Sequence, residues 1–187
     1  GKIYKDALGI AVDGKPVYPE YSDEMHTRNC AVLAGVPIIV GLDYGRTPAA
    51  IFCQLSPRGQ LRFIDELCAD DTGLEAFAED ILKPHIASCY PDNEIFFVGD
   101  PAGLARESDD RDAFMVLAAA GVVAVPAHTN KLTGRLEAVK HYLGRMVDGM
   151  PALACDPKCT RLRKGFIGRY HFRRVQTLKE TFKDIPE

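Results

Sequence analysis

Two aspartates stand where apolar, strand-like runs end. Asp43 closes PIIVGLD at 37–43, and Tyr44 and Gly45 follow it. Asp100 closes NEIFFVGD at 93–100 and is followed by Pro101, Ala102 and Gly103. A carboxylate at the end of a buried strand is unfavourable unless something pairs with it. Two of them at matching strand ends point to a shared divalent cation. Hard oxygen donors suit Mg2+ or Mn2+. The chemistry such a centre performs is metal-assisted phosphodiester hydrolysis. Asp43 also has a plainer reading as a turn residue at a strand end.

Other residues could contribute. Asp65 and Glu66 end a further strand-like run and could supply an extra carboxylate; a solvated strand end is the simpler reading. Lys131, Arg135 and Lys140 have spacings compatible with one exposed side of a helix, facing phosphates or merely solubilising it. The segment 158–179 holds eight Lys or Arg and no Asp or Glu. Within it Arg161, Arg163, Lys164, Arg169, Arg173 and Arg174 interleave with Phe166, Tyr170 and Phe172. An alternating ribbon of this kind buries its aromatics and turns basic side chains outward, where they could follow a nucleic-acid backbone. A solvated face is the competing interpretation. The five histidines show no ligand spacing. Cys155 and Cys159 have a C-x3-C spacing, but a zinc site needs two more ligands and His171 is the only nearby candidate.

The elements that must position the aspartates follow from periodicity. Residues 38–42 read as a buried strand. Residues 50–55 and 61–67 read as an antiparallel hairpin around Ser56-Pro57-Arg58-Gly59. A helix is expected from Asp71 or Thr72 through 89, with Leu74, Phe77, Ile81 and Leu82 on one face. A fourth strand covers 94–99, a helix covers 109–120 with Gly121 just past its end, and a fifth strand covers 122–126. A third helix is expected over 133–147, and a hairpin or extended ribbon over 165–175. The fold class is therefore α/β: a mixed five-stranded sheet, three antiparallel strands then two parallel, flanked by helices. In that arrangement Asp43 and Asp100 meet at one end of the sheet. Residues 1–36 read as a lead-in segment from an interdomain linker, and 37–187 as the domain.

Composition bounds the rest. The apolar fraction of 47% supports a packed core in a chain of 187 residues. A formal net charge of −3 does not by itself suggest nucleic-acid binding, but the distribution is uneven, with acids gathered at 65–80 and 109–112. No run of about 18 apolar residues exists, so no membrane span is expected. The six scattered cysteines read as reduced thiols of an intracellular protein.

GLDYGRTPAA, VGDPAG before an Asp-rich helix start, VPAHTNKLTGRLEAVKHYL and CTRLRKGFIGRYHF occur in an order that resembles the C-terminal nuclease domain of tailed-bacteriophage large terminase subunits. The resemblance covers about residues 26–187 and implies a ribonuclease H-like fold. It implies an endonuclease that cuts concatemeric DNA by a two-metal-ion mechanism, using Mg2+ or Mn2+. Asp43 and Asp100 match the first two acids of the family's metal-binding triad, with Asp43 bridging both ions. Asn130 matches a stretch near the active site. The candidate DNA contacts, taken from charge and spacing rather than from the resemblance, are Lys131, Arg135, Lys140, Arg169, Arg173 and Arg174. The third acid of the family lies on a final helix, expected beyond Glu187, so a domain ending there would lack that helix. Implied partners are double-stranded DNA, the ATPase domain of the same full-length chain, the small terminase subunit and the portal protein, in the host cell cytoplasm. No G-x-x-x-x-G-K-[ST] phosphate loop occurs in these residues. Two other functions fit parts of the chain. GLDYGRT also suits the phosphate loop of an actin-like or sugar-kinase-like nucleotide-binding module, and the whole could serve as a non-catalytic assembly domain.

Overall fold

The computed structural model describes residues 14–105, 111–175 and 181–182. Six strands form the central sheet: β1 (Ile38–Asp43), β2 (Ala49–Leu55), β3 (Leu61–Cys68), β4 (Ile95–Gly99), β5 (Ala124–Pro126) and β6 (Leu153–Cys155). Their order is β5-β4-β1-β2-β3-β6. The first three are antiparallel neighbours, and β4 and β5 run parallel to β1. The expected five strands are all present. The sixth, β6, pairs parallel to β3. It has only three residues, too few to show a period of two in sequence.

Alternation along β1 sets the two faces. Ile38, Val40 and Leu42 are buried in one core with Phe52, Ile64, Phe77, Leu82, Tyr90 and Leu117. Helical residues Leu74–Ala76, Phe77–Leu82 and Lys83–Cys89 cover that face together with the helix Ala113–Ala119. Phe77–Leu82 is a π-helical stretch ahead of Pro84. Proline has no N–H to donate, and a local change of helical pitch accommodates that loss. Gly121, at φ 81, and Val122 close the 113–119 helix by bonding back to the carbonyls of Ala118 and Leu117, a Schellman stop. That closure consumes Val122, so the fifth strand begins at Ala124.

The opposite face carries a second core of Val17, Tyr18, Phe63, Leu143, Leu153, Cys155, Cys159 and Phe166. Leu136 and Val139 of the helix Leu132–Leu143 pack against it. That helix stops at Gly144, four residues short of expectation, and Met146–Val147 pairs with Met150–Pro151 around Asp148 and Gly149, both at positive φ. A second difference lies at 165–169, expected as ribbon. Thr160–Lys164 continues through Gly165–Arg169 as helix, and Gly168 at φ 159 breaks it. Phe166 and Tyr170 are four apart, a spacing that suits a helix face as well as a strand face. The ribbon starts at His171–Val175, which pairs with Gly14–Pro16 and Thr181–Phe182.

Candidate metal centre

The register brings the two aspartates together. Leu42 pairs with Gly99 across the parallel β1–β4 ladder, so Asp43 and Asp100 are the next residues on neighbouring strands, about 5 Å apart in the sheet. Side chains alternate between faces. Leu42 points into the first core, so Asp43 points to the opposite side with Gly41. Asp100 follows Val98, the partner of Gly41, onto that same side. Both carboxylates line a cavity of about 510 Å³ with Glu66, Thr129, Asn130, Arg135 and Arg161. They also line a smaller recess of about 320 Å³ beside Tyr44 and Gly103.

Local chemistry holds Asp100 in place. It caps the short helical turn Pro101–Leu104, and its Oδ1 accepts from the backbone N–H of Ala102 at 2.8 Å. Its other oxygen accepts from Arg135 Nη1 at 3.3 Å. Arg135 also donates to Asn130 Oδ1 at 3.0 Å. Asp43 is exposed. Tyr44, which lines the smaller recess with them, packs against the first core, and its hydroxyl is buried without a hydrogen-bond partner. Burial pushes its phenol up to about 12, and the carboxylates of Asp100, Asp43 and Asp112 act in the same direction.

Two other carboxylates are committed to structure. Glu66 faces the cavity, but its oxygens accept from the backbone N–H groups of Arg161 at 2.7 Å and Leu162 at 2.9 Å, so it caps the helix Thr160–Lys164. Asp65 is 7% exposed and accepts from Tyr90 Oη at 2.7 Å, with His85 Nε2 at 2.9 Å and Lys158 Nζ at 3.1 Å. It is therefore not the solvated strand end that its sequence position suggests. The cause is a bulge: Phe52 pairs with Asp65 but Cys53 pairs with Phe63, leaving Ile64 extra. Phe63, Ile64 and Asp65 are consequently all buried in succession.

The basic residues divide. Arg135 lines the cavity. Lys131 is exposed at the start of its helix. Lys140 lies on another side of that helix, half-buried and 3.5 Å from Glu137. Arg169 is exposed. Arg173 and Arg174 sit in the strand opposite Gly14 and Phe182; their side chains lie outside the described residues. Much of the basic run serves the fold. Arg163 makes a two-pronged pair with Asp23 at 2.9 and 2.6 Å, and this holds the Asp23 carboxyl below its usual range. Arg161 pairs with Asp70 at 2.6 Å. Cys155 and Cys159 are buried free thiols. A hydrogen bond with Cys159 and burial push the Cys155 thiol up. His171 bonds the Arg169 carbonyl, and His26 packs on Tyr21.

Among the described residues no group of three or more His, Cys, Asp or Glu has metal-binding geometry, and no helix is long and apolar enough to cross a membrane. No protein-family model matches the sequence, and no curated protein does. Solved structures do. The fold is similar to that of the large terminase from the thermophilic bacteriophage D6E, with a TM-score of 0.66 and 14% identity over 95% of this chain and 43% of that one. This chain thus spans less than half of the D6E protein. It is similar to the P22 large terminase nuclease domain, with a TM-score of 0.61 and 11% identity over 87% and 84% of the two chains. It is also similar to the large terminase nuclease from thermophilic phage G20c with bound cobalt, with a TM-score of 0.54 and 10% identity over 90% and 87%. This chain has the ribonuclease H-like fold of the large terminase nuclease domains.

Proposed function

We propose that this chain is the metal-dependent DNA endonuclease domain of a viral genome-packaging terminase. The observation that carries the reading is the β1–β4 register, which puts Asp43 and Asp100 side by side on one face of the sheet, lining one cavity. The donor set fits a hard divalent cation. Mg2+ is commonly held by one or two carboxylates and keeps several waters, and the cavity has room for them. Asp43 and Asp100 would hold the ion. Bound there, it would lower the pKa of a water and stabilise the leaving oxygen of a phosphodiester. A second ion would need oxygen ligands beyond these two.

The remaining residues bind and orient. Arg135 lines the wall of the cavity, and its guanidinium is a planar donor suited to phosphate. Thr129 and Asn130 lie on the same wall. Double-stranded DNA is the proposed substrate. An ATPase domain, a small terminase subunit and a portal protein are the proposed partners in the host cytoplasm, and 1–36 is the proposed approach from the ATPase side. The G20c structure, which carries cobalt, supports divalent-ion use, and the choice between Mg2+ and Mn2+ belongs to the same proposal.

The test is plasmid nicking with Mn2+ by a chain extended past residue 187, comparing wild type with Asp43→Asn. Cleavage should fall by at least about a hundredfold while circular dichroism and melting show an intact fold. Undiminished nicking by the folded variant would defeat the assignment.

A further inference from the structure

We propose that Arg135 is a built-in counter-cation of the metal centre, competing with the divalent ion for Asp100. The inference rests on the reading of Asp43 and Asp100 as metal ligands. Its basis is a conflict of occupancy. Asp100 has two carboxylate oxygens. Oδ1 is taken by the backbone N–H of Ala102 at 2.8 Å and holds the turn at Pro101–Leu104. Oδ2 is the one left for a ligand, and Arg135 Nη1 lies on it at 3.3 Å.

The guanidinium is held from a second side. Asn130 Oδ1 accepts from the same Nη1 at 3.0 Å, and Leu136, the next residue on the helix, is anchored in the second core. Arg135 therefore approaches Asp100 from a fixed helix. The need for positive charge here is plain, because Asp43 and Asp100 end adjacent strands on one face. Like charges at that separation repel. A fixed guanidinium relieves the repulsion, and a divalent cation on the same oxygens would relieve it better. The two cations exclude each other on Oδ2 and repel each other across the cavity. Arg135 must swing off Asp100 when the ion enters. The Asp100–Arg135 pair is only partly buried, with side-chain exposures of 26% and 54%, so the exchange needs little rearrangement. The consequence is a centre that stays folded without metal and takes up the ion with reduced affinity.

The experiment measures Mn2+ binding to the 187-residue chain by electron paramagnetic resonance of free Mn2+, with melting curves across a Mn2+ series. Arg135→Gln keeps a hydrogen-bonding amide and removes the charge. It should bind Mn2+ about three- to tenfold more tightly than wild type, melt lower without metal, and gain more on adding Mn2+. Lys131→Gln removes the same charge one helical turn away without touching Asp100. It should change affinity by less than about twofold. Equal tightening in both variants, or unchanged or weaker affinity in Arg135→Gln, would overturn the inference. Asp43→Asn separates this from failure of the underlying reading. If it binds Mn2+ as wild type does, the metal centre is misassigned and the inference falls with it. If it loses binding while Arg135→Gln is unchanged, the counter-cation role alone is refuted.

Discussion

The Tyr44 side chain fills the space that a Cβ on Gly99 would need. The same ring closes over Gly103 and meets Phe114 edge-on, with centroids 5.5 Å apart. Gly99 is the last residue of β4 and the register partner of Leu42. The residue after Asp43 is thus wedged against the residue before Asp100. This interlock fixes the two strand ends relative to each other, independently of the ladder hydrogen bonds.

Gly99→Ala should therefore destabilise the chain by about 1–3 kcal/mol through overpacking against the Tyr44 ring. Tyr44→Phe should be neutral or stabilising by up to about 1 kcal/mol, because it removes a buried hydroxyl with no partner. Urea denaturation of both variants checks this. A double-mutant cycle of Gly99→Ala with Tyr44→Ala should show strong coupling; strict additivity would mean that the two residues do not interlock.

The Asp65 cluster predicts an acid sensitivity. Burial alone would raise the Asp65 carboxyl, but hydrogen bonds from Tyr90, His85 and Lys158 outweigh it and hold the group below its usual range. The folded pKa is lower than the unfolded value of about 3.9. The stabilisation is thus present above about pH 4 and disappears as pH falls through the depressed folded value. Asp65→Asn should lower stability by about 1–3 kcal/mol at pH 7, since it weakens bonds to three partners. The gap between wild type and variant should narrow progressively as the pH falls below about 4. Asp23, also depressed, titrates in the same window in both proteins and cancels in the difference. A gap independent of pH would contradict the account.

How much of this was legible in the sequence depends on the range of the forces involved. The β2–β3 hairpin was, because its turn is local: Gly59 at φ 87 bonds back to Ser56 within four residues. The meeting of Asp43 and Asp100 was legible too, since two apolar runs of similar length ending in Asp imply parallel strands in that register. What escaped is tertiary. Nothing near Glu66 announces that it caps a helix starting at Thr160, and nothing in β3 announces the extra Ile64 that buries Asp65. Arg161 and Arg163 look like a solvent-facing basic run until Asp70 and Asp23 arrive from distant segments. Arg135 was visible as a basic helix residue, but its contact with Asp100 depends on how that helix sits over the sheet.

Those internal pairings change what is expected of DNA binding. Lys158, Arg161 and Arg163 are engaged by Asp65, Asp70 and Asp23, so they are poor candidates to release counterions from a duplex. Lys131 and Arg169 are exposed, and Arg135 lines the cavity of the two aspartates. Each phosphate contact contributes about −0.9 to the slope of log K against log salt. Replacing Lys131, Arg135 and Arg169 together with Ala should flatten that slope by about 2–3, with little dependence on DNA sequence. Arg163→Ala should do the opposite of a DNA-contact variant. It should lower the melting temperature, because the half-buried Asp23 loses its partner, and leave the slope unchanged. Fluorescence anisotropy of a labelled duplex across a salt series, with melting curves of the same proteins, measures both quantities. A slope flattened by Arg163→Ala would place the duplex on the 160–169 helix at Arg163, and a slope unmoved by the triple variant would remove Lys131, Arg135 and Arg169 from the duplex contacts.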